Sequence, residues 1–249
     1  WLLLDIETNG EMLLENAKEC YVCCATAAVP AFEWAEITMQ MPAADGAIAS
    51  VTYKNHRLSV GTIGEKDAVG ICGSGLLDAL AVFLEAGLMD ESGMLMEVEE
   101  VPEELRGYIG TYEGQPCVWL SEKVCVTQED VRNLQLAKAA IAAGIEILLK
   151  EKAFGYKDVT GVWLAGGFGS FLNTESAAKI GLIPKELLPV TEAVGNAAGE
   201  GAVFAAISKK AREHLLEIQG KMHYLELSMH PAFSDLYMDC IPFTSYSGV

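Results

Sequence analysis

The sequence has few basic residues and no long apolar run. The chain of 249 residues has 17 Lys and Arg against 35 Asp and Glu, which gives a formal net charge of −18. Nucleic acids and anionic membranes both attract basic surfaces, so this charge argues against either as a partner. No apolar run of about 18 residues and no basic leader occur, so we expect no transmembrane helix, no signal peptide and a cytoplasmic location.

Histidine and cysteine patterns are missing as well. The four histidines are scattered and show no metal-ligand spacing. The seven cysteines are an odd number in a chain large enough to fold without disulfides, so we expect them reduced. Cys20, Cys23 and Cys24 form one cluster, which we interpret as buried strand thiols, since Cys23 would face away from the other two. The spacing that holds a [2Fe–2S] cluster in ferredoxins is absent.

An apolar strand that ends in a polar turn occupies residues 3–11. Asp5 lies where this strand ends, and a carboxylate there can hold magnesium or its waters. Thr8, Asn9 and Gly10 can offer a hydroxyl and backbone N–H groups to phosphate oxygens. Asn-Gly is equally typical of an ordinary β-hairpin turn, and the segment alone favours that simpler interpretation.

A second glycine-rich turn changes this balance. It reads Leu164-Ala165-Gly166-Gly167-Phe168-Gly169, and paired glycines let the backbone approach a ligand closely. Together, the two turns resemble the phosphate-2 hairpin and the adenosine motif of the acetate and sugar kinase, heat-shock chaperone and actin superfamily. The segment 192–202 resembles the helix that follows the adenosine motif there. We therefore expect Asp5 and Gly166 to face one cleft.

Four segments resemble one family within that superfamily, the ATP-dependent reductive activators of corrinoid proteins. They are residues 70–78, 137–141, 164–169 and 194–198. The resemblance is to the C-terminal domain and runs from about Leu3 to about Phe243. It implies an α/β fold, an actin-like and ribonuclease H-like ATPase half-domain with helices flanking a mixed sheet. Residues 1–243 would be this domain of a longer iron–sulfur protein, and 244–249 a tail.

The resemblance also implies a function for the whole protein. In that family a [2Fe–2S] domain, a linker and a middle domain precede this one, and a chain that begins with Trp on a strand is consistent with a piece of a longer polypeptide. ATP helps deliver an electron to an inactive cobalt(II) corrinoid, which returns to cobalt(I) for methyl transfer. The expected cofactors are ATP and Mg²⁺, with [2Fe–2S] only in the full-length protein. The expected partners are the corrinoid protein and the upstream domains; a homodimer is left open.

The resemblance and the residue chemistry together predict the site. Asp5 would organise magnesium, and Glu11 would orient the water for hydrolysis or lie on the far side of the hairpin. The residues expected to hold the nucleotide are Thr8, Asn9, Gly10, Gly73, Ser74, Gly75, Gln135, Lys138, Gly166, Gly167 and Phe168. Gly73–Gly75 opens a helix and could bind an anion there, although a helix cap at Ser74 explains the sequence equally well. Gln135 and Lys138 match adenosine contacts of chaperone-type relatives. A single phosphate hairpin predicts a weak ATPase in isolation.

The periodicity of apolar residues gives the expected elements. Strands are predicted over 1–6, 11–16, 21–25, 47–53, 58–63, 160–165 and near 223–227. Helices are predicted over 74–86, 127–150, 174–180, 192–212 and near Pro231. Residues 97–114 are expected to form an exposed excursion.

The sequence departs from the family pattern in ways that leave a second hypothesis open. The hairpin of relatives reads Asp-Ile-Gly-Thr-Asn-Gly-Glu, whereas residue 7 here is Glu, whose charge would repel a nucleotide unless it points away or faces magnesium. Val29 and Trp34 stand where relatives tend to have glycine, and Gln40 and Pro42 replace Gly and Arg. The alternative is a nucleotide-incompetent module that docks the corrinoid protein through its acidic surface. A small-molecule kinase is a third hypothesis, disfavoured because no separate substrate-binding segment is found.

Overall fold

The computed structural model describes residues 1–7, 9–16, 20–26, 37–166 and 172–244. The predictions for Thr8, Val29, Trp34, Gly167 and Phe168 lie outside the described residues. The strands are β1 Leu2–Ile6, β2 Gly10–Asn16, β3 Cys20–Thr26, β4 Ala47–Lys54, β5 Arg57–Thr62, β6 Gly70–Ile71, β7 Ile109–Tyr112, β8 Gln115–Trp119, β9 Cys125–Thr127, β10 Val162–Ala165, β11 Thr191–Gly195 and β12 Met222–Tyr224. The α-helices are α1 Gly73–Ala86, α2 Gln128–Glu151, α3 Thr174–Lys179, α4 Ala197–Ile207, α5 Lys209–Gly220 and α6 Phe233–Asp239.

A six-stranded mixed sheet forms the centre of the fold, in the order β11-β10-β1-β2-β3-β12. The β11–β10–β1 part is parallel, whereas β1–β2–β3 is antiparallel and β12 adds in parallel to β3. Side chains alternate between the two faces of each strand. In the central strands one face is buried, with Leu2, Leu4 and Ile6 contributed by β1. The mixed α/β class predicted from the sequence is confirmed.

Helix α2 covers the buried face of the sheet at β2 and β3. Thr127 caps its start: the Thr127 hydroxyl accepts from the Asp130 N–H, and the Asp130 carboxylate accepts from the Thr127 N–H. Such a reciprocal box satisfies two of the N–H groups that a helix start leaves free. The sequence placed this cap and the helix bounds correctly to within one residue.

Two smaller sheets extend the central one. The sheet β5-β4-β6 is covered by α1, and β4 and β5 are joined by a tight turn at Asn55 and His56, both with positive φ. This hairpin was expected. The sheet β7-β8-β9 was not, because residues 97–114 were interpreted as an excursion from the fold. Its strands are short, and two of them contain no clear alternation.

The predicted helix over 192–212 is wrong in two respects. Its first residues form β11, which pairs with β10 at the edge of the sheet. Asn196 then caps α4, and the chain breaks again at Ser208, which caps α5. Short capping side chains compete with continuous helix, and here they divide one predicted element into three.

Helices α4 and α5 pack chiefly against each other and bury no residue completely. Several of their apolar side chains are exposed: Val203, Phe204, Ile207, Leu215 and Leu216. In other proteins, exposed apolar patches occur at protein–protein interaction sites. Over the described ranges, no helix combines the length and the hydropathy that a membrane crossing requires.

Candidate nucleotide site

Asp5 lies at the carboxyl end of β1, beside the end of the parallel strand β10. It is aligned with Ala165 on one side and with Glu11 of β2 on the other. In open α/β sheets, ligands bind outside the carboxyl ends of the strands, where the adjacent turns meet. Asp5, the one acidic residue of β1, therefore lies at this edge of the sheet beside the glycine turn that begins at Gly166.

Gly166 faces the Asp5 side chain directly. Its φ is +92°, a backbone conformation that side chains other than glycine rarely adopt. A Cβ built on Gly166 would lie 2.6 Å from Asp5 Oδ1 and 2.6 Å from the Ile6 carbonyl oxygen. The turn after β10 can approach Asp5 only because this residue is glycine. Asp5 and Gly166 are therefore adjacent despite their separation in sequence, and the cleft that they were expected to face stays a prediction.

The charge around Asp5 is strongly negative. Burial raises the pKa of the Asp5 carboxyl, and the neighbouring charges of Glu7 and Glu11 raise it further. A bound cation would offset this repulsion. No group of three His, Cys, Asp or Glu among the described residues is arranged to hold a metal ion. Magnesium commonly takes one or two protein carboxylates and completes its shell with water and phosphate oxygens, so Asp5 fits that role.

The turn between β1 and β2 is a three-residue hairpin loop. Ile6 pairs with Gly10, and the Glu7 N–H donates to the Asn9 carbonyl at 3.0 Å. Gly10 is therefore a strand residue beneath α2, where an added Cβ would lie 3.1 Å from Ile141. The loop differs from the two-residue Asn-Gly turn that the sequence favours. Asn9 is exposed.

The start of α1 is packed on β4. Cys72 is the N-cap, so the expected cap at Ser74 is wrong, and the Ser74 hydroxyl donates to the Ala49 carbonyl at 3.1 Å. A Cβ on Gly75 would collide with the Ile48 carbonyl, so glycine is needed there for close packing of helix on strand. These contacts account for Ser74 and Gly75 without a ligand. Phosphate binding at Gly73–Gly75 stays a prediction.

Gln135 and Lys138 are buried in α2 rather than displayed on an open face. The Gln135 amide donates to the Ser92 carbonyl at 2.9 Å, and its oxygen accepts from Arg132 at 2.6 Å. The Lys138 ammonium donates to the carbonyls of Cys240 and Pro242. A nucleotide contact through either side chain would have to break these bonds. Their predicted role in adenosine binding is untested.

Sequence reasoning missed Asp78, a carboxyl buried on the apolar side of α1. Only 5% of the residue is exposed, and its Oδ2 accepts from the Val51 N–H at 3.4 Å. Burial raises the pKa of this carboxyl, and the side chains of Ser176 and Asn173, at the start of α3, lower it. The sequence offered one signal for a buried carboxyl: Asp78 is an acidic residue among the apolar Leu76, Leu77, Leu80 and Phe83.

The fold and the Asp5–Gly166 arrangement define an actin-like domain of the ASKHA class. The solved structure of a "Reductive activator for corrinoid, iron-sulfur protein" matches with a TM-score of 0.86 and 37% identity, over 97% of this chain and 39% of that chain. The model of the family described as the C-terminal domain of RACo, the ASKHA domain, matches residues 1–246. The chain belongs to this family.

Two curated relatives match over nearly the whole chain. The corrinoid activation enzyme RamQ of Eubacterium limosum is 33% identical over 95% of this chain and 42% of the relative. The [Co(II) methylated amine-specific corrinoid protein] reductase of Methanosarcina barkeri is 25% identical over 95% of this chain and 45% of the relative. The chain thus spans less than half the length of each.

Proposed function

We propose that this chain is the Mg-ATP-binding domain of a reductive activator of corrinoid proteins. The observation that carries the proposal is the contact of Asp5 with Gly166 at the carboxyl ends of β1 and β10. It brings a carboxylate that could hold a cation against the first glycine of the turn that follows β10. The names of the relatives, which act on corrinoid proteins, support the choice of substrate.

Each of several residues of this chain would have a separate role at that site. Asp5 would hold Mg²⁺ directly or through its waters, and the hairpin loop with Asn9 would offer N–H groups to the phosphates. Glu11, aligned with Asp5 across β1 and β2, would orient the attacking water. Bound Mg-ATP would supply the free energy of phosphate hydrolysis. Gly166 would allow the nucleoside to lie close to the backbone.

The electron would come from outside this chain. We propose that a [2Fe–2S] domain of the full-length protein gives up one electron and that the corrinoid substrate changes from cobalt(II) to cobalt(I). No cysteine of this chain is needed for that transfer. All seven lie within the described residues and none forms a disulfide there. Burial raises the pKa of Cys24, Cys117, Cys125 and Cys240, which disfavours reactive thiolates.

The test is ATP-dependent formation of cobalt(I) by the full-length protein, followed by absorbance with a chemical reductant present. Asp5→Asn should lower the ATP-stimulated rate at least about tenfold, since it removes a charged magnesium ligand. Glu15→Gln is the matched control: Glu15 is a carboxylate of the same hairpin, at the opposite end of β2. Equal rates in the wild type and Asp5→Asn would contradict the proposal.

The exposed apolar surface of α4 and α5 favours a second candidate function, docking of a protein partner. In that case the actin-like fold would present the docking surface and would bind no nucleotide. Calorimetry separates the two functions, because a docking module would bind the corrinoid protein with no dependence on Mg-ATP.

A further inference from the structure

A surface cavity opens at one end of the β7-β8-β9 sheet, in a part of the fold that the proposed function does not use. Its volume is about 360 Å³, and ligand pockets in proteins span about 300–1,000 Å³. Its walls come from the residues before β7 and from the end of β8 with the turn that follows it. They are Gly107, Tyr108, Trp119, Leu120, Ser121 and Glu122. Two aromatic rings and one carboxylate therefore line the same cavity.

Trp119 is fixed in place from within its own sheet. A Cβ on Gly110 would lie 2.6 Å from the indole Nε1 and 2.8 Å from Cδ1, so the indole packs directly on the backbone of β7. The Tyr112 ring meets it edge-on, with the ring centroids 6.2 Å apart. Trp119 is nonetheless only partly buried. It therefore presents a fixed aromatic surface to the cavity, and tryptophan is the side chain whose ring attracts cations most strongly.

The other walls of the cavity are also held by hydrogen bonds. The Tyr108 hydroxyl accepts from a backbone N–H of β5 at 3.2 Å, which joins this wall to the neighbouring sheet. In the turn after β8, the Ser121 hydroxyl oxygen accepts from the N–H groups of Lys123 and Val124, at 3.2 and 3.1 Å. These bonds fix the backbone on both sides of Glu122, so a ligand would meet a site that needs little rearrangement.

Glu122 is the charged group of the cavity and is open to a cationic partner. It is exposed, and none of the described residues forms an ion pair with it. A second cavity, of about 240 Å³, shares Ser121 and Glu122 and adds Asp67, Ala68 and Lys123 to the lining. The chain as a whole carries a formal net charge of −18, so its surface attracts positively charged partners.

We propose that the cavity at Trp119 binds an arginine side chain of a protein partner, with the guanidinium stacked on the indole and paired with Glu122. A guanidinium is planar, stacks on aromatic faces and presents parallel N–H donors to a carboxylate, whereas an ammonium is a compact point charge. A partner with basic residues complements the negative charge of this chain, which speeds encounter and fixes the orientation of the complex. None of these residues belongs to the proposed nucleotide site, so the inference goes beyond the proposed function and stands without it.

The experiment is fluorine NMR of the full-length protein labelled with fluorotryptophan, in which Trp119→Phe identifies the Trp119 signal as the one that is lost. The probes are three short peptides that differ at one position, where they carry arginine, its neutral isostere citrulline, or lysine. The arginine peptide should shift the Trp119 signal with a millimolar Kd, since it gains one stacked and one paired contact. The citrulline peptide should bind at least about tenfold more weakly, and the lysine peptide about threefold more weakly.

Two substitutions of exposed carboxylates complete the test without disturbing the fold. Glu122→Gln should raise the Kd of the arginine peptide about threefold, because it removes the paired charge. Glu113→Gln is the matched control: Glu113 is exposed in the turn at the other end of β8, and its loss should leave the Kd unchanged. An unshifted Trp119 signal, equal binding of the arginine and citrulline peptides, or an equal effect of the two substitutions would overturn the inference.

Discussion

Lys138 offers a quantitative test of the structure, because it is a charged group with no exposed surface. Burial lowers the pKa of its ammonium from 10.5 to about 8, even though two backbone carbonyls accept from it. Phe243 lies beside it, with Nζ 5.3 Å from the ring centroid. We predict that the free energy of unfolding carries the signature of this shift when wild type and Lys138→Met are compared.

The sign follows from proton binding. Between pH 8 and 10.5 the unfolded chain keeps the Lys138 proton while the folded protein has released it, so stability rises with pH. A shift from 10.5 to about 8 is worth about 3 kcal/mol in full and about 2–3 kcal/mol by pH 10. Below pH 8 this group makes no pH-dependent contribution.

Urea unfolding at intervals from pH 7 to pH 10 measures the effect. The buried thiols change stability in the opposite direction. Burial raises the pKa of Cys24 and Cys125 to about 12, so the free energy of unfolding falls as the thiols of the unfolded chain ionise. Those thiols are common to both proteins, so the difference in unfolding free energy isolates Lys138. The difference should move by about 2–3 kcal/mol in favour of the wild type. A difference that stays constant from pH 7 to pH 10 would show that Lys138 titrates at its ordinary pKa. The buried position of its ammonium in the structure would then be wrong.

Three further predictions concern other parts of the fold. Glu7→Gly should tighten Mg-ATP binding about tenfold: two like charges about 6 Å apart repel by roughly 3 kcal/mol at an effective dielectric near 20 before screening, and screening by salt reduces this to about 1.4 kcal/mol. Weaker binding in titrations would show instead that Glu7 holds magnesium. Asp130→Ala should cost about 3 kcal/mol of unfolding free energy, because the carboxylate accepts from Thr127 N–H and from both Thr38 N–H and its hydroxyl; a loss below 1 kcal/mol in urea would contradict this. Thiol titration of the unreduced, denatured protein should count all seven cysteines, and five or fewer would reveal disulfides.

The parts of the fold that the sequence predicted correctly are those with a local cause. The strands at 2–26 and 47–62 alternate or carry turn residues, and α2 has both a capping box and an apolar stripe. Asp5 and Gly166 could be paired because each ends a strand of a recognisable motif. The segment Thr191–Gly195 became a strand for a reason that lies elsewhere, in the free edge of β10.

The buried charges could not be predicted because their partners are distant in sequence. Lys138 was interpreted as a nucleotide-facing residue, yet its acceptors are the carbonyls of Cys240 and Pro242. Ser176 and Asn173, which lower the pKa of Asp78, are separated from it in the sequence by the β7-β8-β9 sheet, α2 and β10. Periodicity identifies which face of a helix is inward, but not which polar group meets it there.

Magnesium-dependent nucleotide binding is the most direct test of the central claim. Calorimetry of the full-length wild type should show ATP binding that requires Mg²⁺, and Asp5→Asn should weaken it at least about tenfold by removing the charged oxygen ligand. Glu15→Gln should bind as the wild type does. Absence of binding to the wild type, or equal magnesium dependence in Asp5→Asn, would contradict the assignment of Asp5 and Gly166 as a nucleotide site.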